Sequence, residues 1–451
     1  MTTTTAASRQ HTLRERNLEL VARAVFEAPE PPSRAGVAAA TGLTRATVST
    51  LIDQLIGARL LRELPAVADG RAGRPAVPLV PARRSLLGLG LEVNVDYLGA
   101  RAVDLTGAVV AEHVAPGAFH DSDPAEVLGE LGRIARAVIR DAHDGGMRLA
   151  GARLALPGLV DARAGMLDVA PNLGWSSVEP APLLGLDGLP VEIANEAKLA
   201  ALAELGGAGP AATGAWRGRA GREETGVADA GTGFGRTGAG TGQVGAGTGV
   251  AGAGTGPTQA EGTTGAGGAV PDSFLYVSGD VGIGAAIVVG RELFLGERGW
   301  NGEVGHVVVD PAGPRCSCGA HGCLEQFAGK EALARAAGLA ADAPLTDLLA
   351  LLGAAHSAAP TAVRRAGQAL GSALADFVNL VDVHTVVLGG IYTDLLPWLR
   401  PEIEAVLAER VLAAPFVDLE VRAARAGSQA ALTGGAREVL RGVLADPAAW
   451  I

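Results

Sequence analysis

The sequence predicts an α/β protein: a body of repeated strand–helix units behind a helix-rich front module. Three observations lead there. Hydrophobic residues make up 48% of the 451 residues, enough for more than one core. From about residue 85 onward, short apolar runs alternate with segments of helical period, the pattern of sheets flanked by helices. Charge is also divided unevenly. Residues 1–85 carry 12 Lys and Arg against 7 Asp and Glu, while the rest carries 25 against 41, within a net charge of −11. An acidic body repels nucleic acid, so only the front end is placed to meet DNA.

The front module comes first. "ERNLELVARAVFEA" (15–28) has helical apolar spacing, and "SRAGVAAATGLTRATVSTLIDQLIGARLL" (33–61) gives two helices around a turn at Gly42. Val48, Leu51, Ile52 and Leu55 form one stripe at i, i+3, i+4 and i+7. Thr44 is placed to cap that helix. Arg45, Ser49 and Thr50 then face outward near its start, where a recognition helix reaches base edges. "LLREL" and "AVPLV" pair as strands around "PAVADGRAGRP", a wing that sets Arg71 and Arg74 among glycines for phosphate or minor-groove contact. The module reads as a winged helix-turn-helix spanning 1–84. The plainer alternative is a helical cap whose arginines are simply solvated.

The body follows. "LLGLGLEVNVDYLGARAVDLTGAVVAEHV" offers three strands, a helix covers 124–143, and "ARLALPG" is a further strand. "PVEIA" leads into the helix "NEAKLAALAELG". Residues 206–270 then include 23 glycines, with "GAGTG" recurring every seven residues and no apolar seam. Such a tract cannot offset its ordering entropy, so a disordered insertion is expected between body segments 85–205 and 271–451. No P-loop lysine or strand–helix context makes it a phosphate loop. Beyond it, "FLYVSGDVGIGAAIVVG" forms a hairpin-like pair, and "HTVVLGG" is a strand before a helix near 393–408.

All three cysteines, Cys316, Cys318 and Cys323, lie within "PRCSCGAHGCLEQ". Three is odd for disulfides, and Cys316 and Cys318 are too close to bridge easily. The start, MTTTTAASRQH, lacks a cationic patch before an apolar core, and no run of ~18 apolar residues spans a membrane. A cytoplasmic, reducing setting is therefore expected, where clustered thiols favour a metal. Three thiolates need a fourth ligand for tetrahedral zinc, and His306 and His321 are nearest. A loop of merely packed cysteines, or a redox switch, remains the alternative.

"GEVGHVVVDPAGPRCSCGAHGCLEQFAG" resembles the signature of the ROK family, named for repressors, open reading frames and kinases. The family pattern is E-x-G-H followed by C-x-C-G-x-x-G-C-x-E. It is met here by Glu303, Gly305, His306, Cys316, Cys318, Gly319, Gly322, Cys323 and Glu325. "LPGLVD", "APNLGW", "ANEAKLAALAE" and "VVLGG" extend the resemblance over essentially the whole chain except the insertion. It implies an actin-like, ribonuclease H-like sugar-kinase fold of two lobes with a sugar cleft between them. It also implies that His306 joins Cys316, Cys318 and Cys323 around a structural Zn²⁺, leaving His321 a loop residue. Glu303, His306 and Glu325, with Asn172 and Asn195, then match sugar-contacting positions. Carboxylates suit paired hydroxyls because each oxygen accepts hydrogen bonds. Folding the loop on metal holds Glu303 and Glu325 in place.

A kinase of this family needs features that are altered here. Glu92, Asn94 and Asp96 stand where Asp, Gly and Thr form the phosphate hairpin. Asp96 brings negative charge to the ATP phosphates, worth about 4 kcal/mol of repulsion at ~4 Å and an effective dielectric of ~20. Val281 replaces Thr at the other phosphate turn if the glycines of "VGIG" are aligned, although Gly279 offers a second register. Glu196 takes the catalytic Asp position and also faces the sugar; its extra methylene displaces the carboxylate, at a cost of up to ~10²-fold in rate. With a DNA-binding module in front, these departures point to a sugar-responsive transcriptional regulator, most simply a repressor of carbohydrate-metabolism genes, with no catalytic residue and no ATP. The expected partners are double-stranded operator DNA, a sugar or sugar-phosphate effector and a second copy in a homodimer or homotetramer, with no membrane. The alternative is an active or residual ATP-dependent sugar kinase with an appended DNA-binding domain. A third reading is a zinc-stabilised scaffold that binds neither sugar nor ATP.

Overall fold

The computed structural model describes residues 3–66, 76–143, 146–206, 270–354, 357–427 and 429–451, with side chains from residue 12 onward. Arg71, Arg74 and all but the end residues of the Gly-rich tract lie outside the described residues.

The front module has three helices, α1 (Thr3–Phe26), α2 (Arg34–Thr41) and α3 (Arg45–Gly57), then a two-stranded antiparallel sheet of β1 (Leu61–Glu63) and β2 (Leu79–Pro81). Ser33 caps α2, its hydroxyl accepting the Gly36 N–H at 3.2 Å, and α2 stops at left-handed Gly42. The α3 stripe of Val48, Leu51, Ile52 and Leu55 is buried as the spacing predicts, against Leu18, Val21 and Val25 of α1.

The body holds two five-stranded sheets. In the first, β3 (Leu86–Val93), β4 (Tyr97–Asp104) and β5 (Val109–Pro116) run antiparallel. Helix α4 (Pro124–His143) leads to β6 (Arg148–Leu156), parallel to β3. A small sheet of β7 (Leu159–Asp161), β8 (Met166–Ala170) and β9 (Trp175–Val178) and a turn of helix, α5 (Pro180–Leu183), precede β10 (Val191–Asn195), which joins β6 in parallel. Helix α6 (Glu196–Leu205) follows.

The second sheet repeats this plan. β11 (Phe274–Gly279), β12 (Ile283–Val289) and β13 (Glu292–Phe294) run antiparallel. Helices α7 (Glu325–Ala328), α8 (Lys330–Ala336), α9 (Leu345–Leu352) and α10 (Ala359–Val381) precede β14 (Thr385–Gly390), parallel to β11. Helix α11 (Ile391–Arg410) leads to β15 (Glu420–Ala423), parallel to β14, and α12 (Ala430–Ala445) comes last. The spatial orders β5-β4-β3-β6-β10 and β13-β12-β11-β14-β15 are the same topology twice. This is the two-lobed actin-like arrangement expected from the resemblance.

Each lobe has its own apolar core. Leu89, Leu91, Leu128, Leu131 and Leu154 anchor the first, and Val277, Leu370, Leu388, Leu399 and Ile403 the second. Helix α12 crosses back to lie on β3 and α6. A Cβ on Gly90 would stand 1.9 Å from the Leu432 carbonyl oxygen, and one on Gly434 would stand 1.7 Å from that of Leu199. Glycine is what lets these backbones meet. At its far end α12 gives Leu440 and Val443 to the core of the front module. Among the described residues no helix is long and apolar enough to cross a membrane.

Candidate functional site

The cysteine loop closes on a small antiparallel scaffold. Val308 pairs with Cys323 and Arg315 with His321, and the Cys316 N–H donates to the Ala320 carbonyl at 2.8 Å. Gly322 sits at φ 70°, where a Cβ would lie 1.5 Å from the Asp310 carbonyl oxygen, so the turn into Cys323 requires glycine. His306, in a single 3-10 turn at Val304–His306, faces the thiols. Cys318 Sγ lies 3.6 Å from Cys323 Sγ, and Cys316 Sγ 3.8 Å from His306 Nδ1; the four ligand atoms all fall within 4.8 Å of one another. Ligands ~2.3 Å from a tetrahedral metal stand about 3.8 Å apart, so the donor set fits such an ion. His321 is exposed and outside the group. Burial and the neighbouring thiols push the Cys323 thiol up to about 12, whereas the Ala320 backbone holds that of Cys318 down.

The sugar candidates separate around the β11–β12 turn. Asn172 and Glu325 line a cavity of about 240 Å³ with Val281, His120, Asp121 and Arg335. Asn172 Nδ2 and Glu325 Oε2 each lie 3.1 Å from where a Cβ on Gly282 would be, so that glycine leaves room between them. Glu303 is half-buried; burial raises its carboxyl, against the pull of His306 and Lys198. Asn195 is committed to structure. Its Oδ1 caps α6 through the Ala197 and Lys198 N–H groups at 3.0 and 3.4 Å, and its Nδ2 donates to the Gly158 carbonyl at 3.0 Å. That leaves one amide hydrogen for a ligand. His120, Asp121 and Arg335 were not singled out in the sequence; no motif marks them, and only the fold gathers them.

Glu196 lines a second cavity, of about 330 Å³, with Glu92, Tyr97 and Asp280. It opens between the sheets toward the first turns of α11 and α12. Tyr97 Oη donates to Glu92 Oε1 at 2.7 Å. Burial, reinforced by Asp280, lifts the Glu92 carboxyl to about 7, and burial with Asp96 nearby lifts that of Asp280 to about 6. Glu196 is raised further, by burial and then by Glu92 and Asp280.

Two expectations for the phosphate hairpins change. Asp96 is not an uncompensated charge: Lys330 Nζ of α8 pairs with its Oδ2 at 2.5 Å, bridging the two lobes. Asn94 Oδ1 instead accepts the Asp96 N–H at 3.0 Å. At the other turn Asp280 lines the cavity with Glu92, while Val281 lines the neighbouring one with Asn172 and Glu325. The acidic side chains lining this face are therefore Glu92, Glu196 and Asp280.

In the front module Thr44 acts as a cap, its hydroxyl accepting the Thr47 N–H at 3.2 Å. Arg45 and Thr50 are exposed and Ser49 is half-buried. The Ser49 carbonyl accepts from Arg34, which also pairs with Asp53 at 2.7 Å and Glu63 at 2.9 Å.

The ROK family model matches residues 255–441. A xylose repressor of Caldicellulosiruptor bescii is 23% identical over 431 residues, covering 92% of this chain and 93% of that protein. The xylose repressor of Bacillus subtilis is 23% identical over 84% of each. Among solved structures, a ROK family transcriptional regulator described as a homologue of the E. coli MLC protein superposes with a TM-score of 0.67 at 23% identity, covering 96% of this chain and 97% of that one. A ROK hexokinase from Thermus thermophilus gives 0.54 at 25% identity, covering 79% and 99%. The motif of Glu303 to Glu325, the duplicated sheet topology and these similarities agree: residues 255–441 match the ROK family model, and nearly the whole chain is similar to xylose repressors.

Proposed function

We propose that the protein is a sugar-responsive, DNA-binding transcriptional repressor. The observation that carries this reading is the extent of the repressor alignments, which span 92% of the chain and so take in the front module as well as the body. The solved regulator likewise covers 96% of the chain, against 79% for the hexokinase. In this reading residues 1–84 form a winged helix-turn-helix. Arg45, Ser49 and Thr50 read bases, Thr44 shapes the helix start, and Arg71 and Arg74 hold the backbone. The segments 85–205 and 271–451 hold the effector, and 206–270 is an insertion that neither task needs. A homodimer or homotetramer would present two recognition helices to a palindrome.

The effector lies in the cleft against Asn172, Glu303, His306 and Glu325, with Asn195 lending its free amide hydrogen and Glu196 bordering from the second cavity. The names of the relatives make xylose the first sugar to test. His306, Cys316, Cys318 and Cys323 would hold Zn²⁺, which fixes the loop carrying Glu303 and Glu325 rather than taking part in chemistry. Metal analysis of protein purified without added zinc should find about one equivalent per chain, and Cys318→Ser should lose both metal and sugar response. A metal-free protein that still binds sugar would remove the zinc from the reading.

The functional test pairs two measurements on one sugar panel: release of a duplex selected by the protein from random DNA, and ADP formation with Mg-ATP. Sugar-dependent release without ADP is expected. A second reading, a residual sugar kinase, draws on the hexokinase likeness and on Glu196 as an acid at the base position. Turnover of ~1–10³ s⁻¹ with any sugar would promote it.

A further inference from the structure

We infer that the effector is a disaccharide, its second ring seated in the cavity that Asn172 and Glu325 share with helix α8. The inference rests on the sugar-responsive reading above and adds to it the size of the sugar. Of the side chains in the proposed effector contact, Asn172 and Glu325 line this cavity of about 240 Å³, and Glu303 and His306 do not. A ring held by Glu303 and His306 therefore meets Asn172 and Glu325 at its edge. The space past them is walled by residues that such a ring does not need: His120 and Asp121 from the first lobe, and Gln326, Glu331 and Arg335 from the second. A volume of ~10–15 Å³ admits one water, so this space takes many waters or one further ring.

The wall has the chemistry of a saccharide site, with acceptors and donors mixed. Asp121, Glu325 and Glu331 bring carboxylates, and Asn172 and Arg335 bring N–H groups. A sugar hydroxyl donates to the first set and accepts from the second, so it is matched in both directions. Arg335 gives one N–H to Glu331 at 3.1 Å and has others to offer. Carboxylates outnumber the guanidinium group here, so a neutral ligand suits the space better than a phosphorylated one. Pro171, Val281 and Ala332 are the apolar part of the lining, too little to enclose an aliphatic or aromatic body.

Asp121 is built into its position. Its φ of 49° lies in the left-handed region that residues other than glycine seldom adopt. The turn that carries Asn172 holds it there. The Ser122 N–H donates to the Leu173 carbonyl at 3.1 Å, and the indole N–H of buried Trp175 donates to the Ser122 carbonyl at 2.9 Å. Gly174 makes room, since a Cβ there would stand 2.9 Å from Asp121 Oδ1. Asp121 and Asn172 are thus fixed to one another and share the cavity with Glu325, Glu331 and Arg335 of the other lobe. Backbone kept in a costly conformation beside a cavity is characteristic of ligand contacts.

Isothermal titration of the full chain tests this with three pairs, xylose and β-1,4-xylobiose, glucose and cellobiose, and glucose and maltose, beside glucose 6-phosphate. In at least one pair the disaccharide should bind about ten-fold or more tightly than its monosaccharide, the effect of one hydrogen bond to a charged group. That ratio should fall toward one in Arg335→Ala and in Asp121→Ala. Because it compares two sugars on the same protein, a partial loss of folded material does not move it. An undiminished ratio in either folded variant would overturn the proposal. Monosaccharide binding with no gain from a second ring in any pair would overturn it and leave the sugar-responsive reading standing. Binding of none of these sugars would remove both. Tighter binding of glucose 6-phosphate than of every disaccharide would also sink it, by assigning the space to an anion.

Discussion

Glu92 ties protonation to stability. Its carboxyl sits near 7 in the folded protein, against 4.5 for a free one, with Tyr97, Arg101, Asp280 and Glu196 as the charged or titratable groups acting on it or lying close by. The folded state therefore holds the proton more tightly than the unfolded state. Stability from this group is present below pH 4.5 and is lost as pH rises toward 7, amounting to about 3 kcal/mol. Glu92→Gln keeps an acceptor for Tyr97 and removes that dependence. Its melting temperature at pH 8 should exceed that of the unaltered protein, and the fall between pH 5 and 8 should be shallower. A lower value at pH 8 would contradict this account. The sequence showed an acid at position 92, but not its isolation. It also showed Asp96, but not its partner, because Lys330 is 234 residues away and nothing local marks the pair. The thiol loop was legible because its ligands are close in sequence and their spacing is chemical.

At the level of elements, strands and helices with clear apolar period were legible: β3 to β5, α4, α6, and the pair β11 and β12. Helix α12 was not. "AALTGGAREVLRGVLA" carries a Gly pair in its interior, which sequence reasoning takes as a break, since glycine costs about 1 kcal/mol against alanine in a helix. Contact explains it. Gly434 lies so close to Leu199 that a methyl would overlap its carbonyl oxygen, and Gly90 makes room for Leu432 in the same way. Gly434→Ala thus gains helix propensity and loses packing. Because the obstacle is backbone and cannot rotate away, overpacking of about 1–3 kcal/mol should prevail. Calorimetry should show a melting temperature lower by several degrees. An unchanged or higher value would mean that α12 can move off α6 freely. The small sheet β7–β9 was marked only by the stretches LPGLVD and APNLGW, which do not announce strands, and the long α10 by nothing; both are fixed by packing.

The whole molecule joins its parts through one helix. The first residues of α12 border the carboxylate cavity, its middle rests on β3 and α6, and its last turns complete the core of the front module. Under the proposed function, a shift of the lobes carried by α12 would reach the core of the front module, a physical route from effector to DNA. The shift can be no larger than the effector's preference for one lobe arrangement. The same placement sets an order of assembly on the ribosome. The front helices and β3 emerge early, but α12 follows β3 by more than 330 residues. At about 5–20 residues per second, some 15–70 s pass before that partner exists. During that interval Leu440 and Val443 are missing from the first core, and the sheet face at Gly88 and Gly90 is bare. The nascent chain is then an incomplete fold in need of protection, and the front module becomes whole only after both lobes have been made.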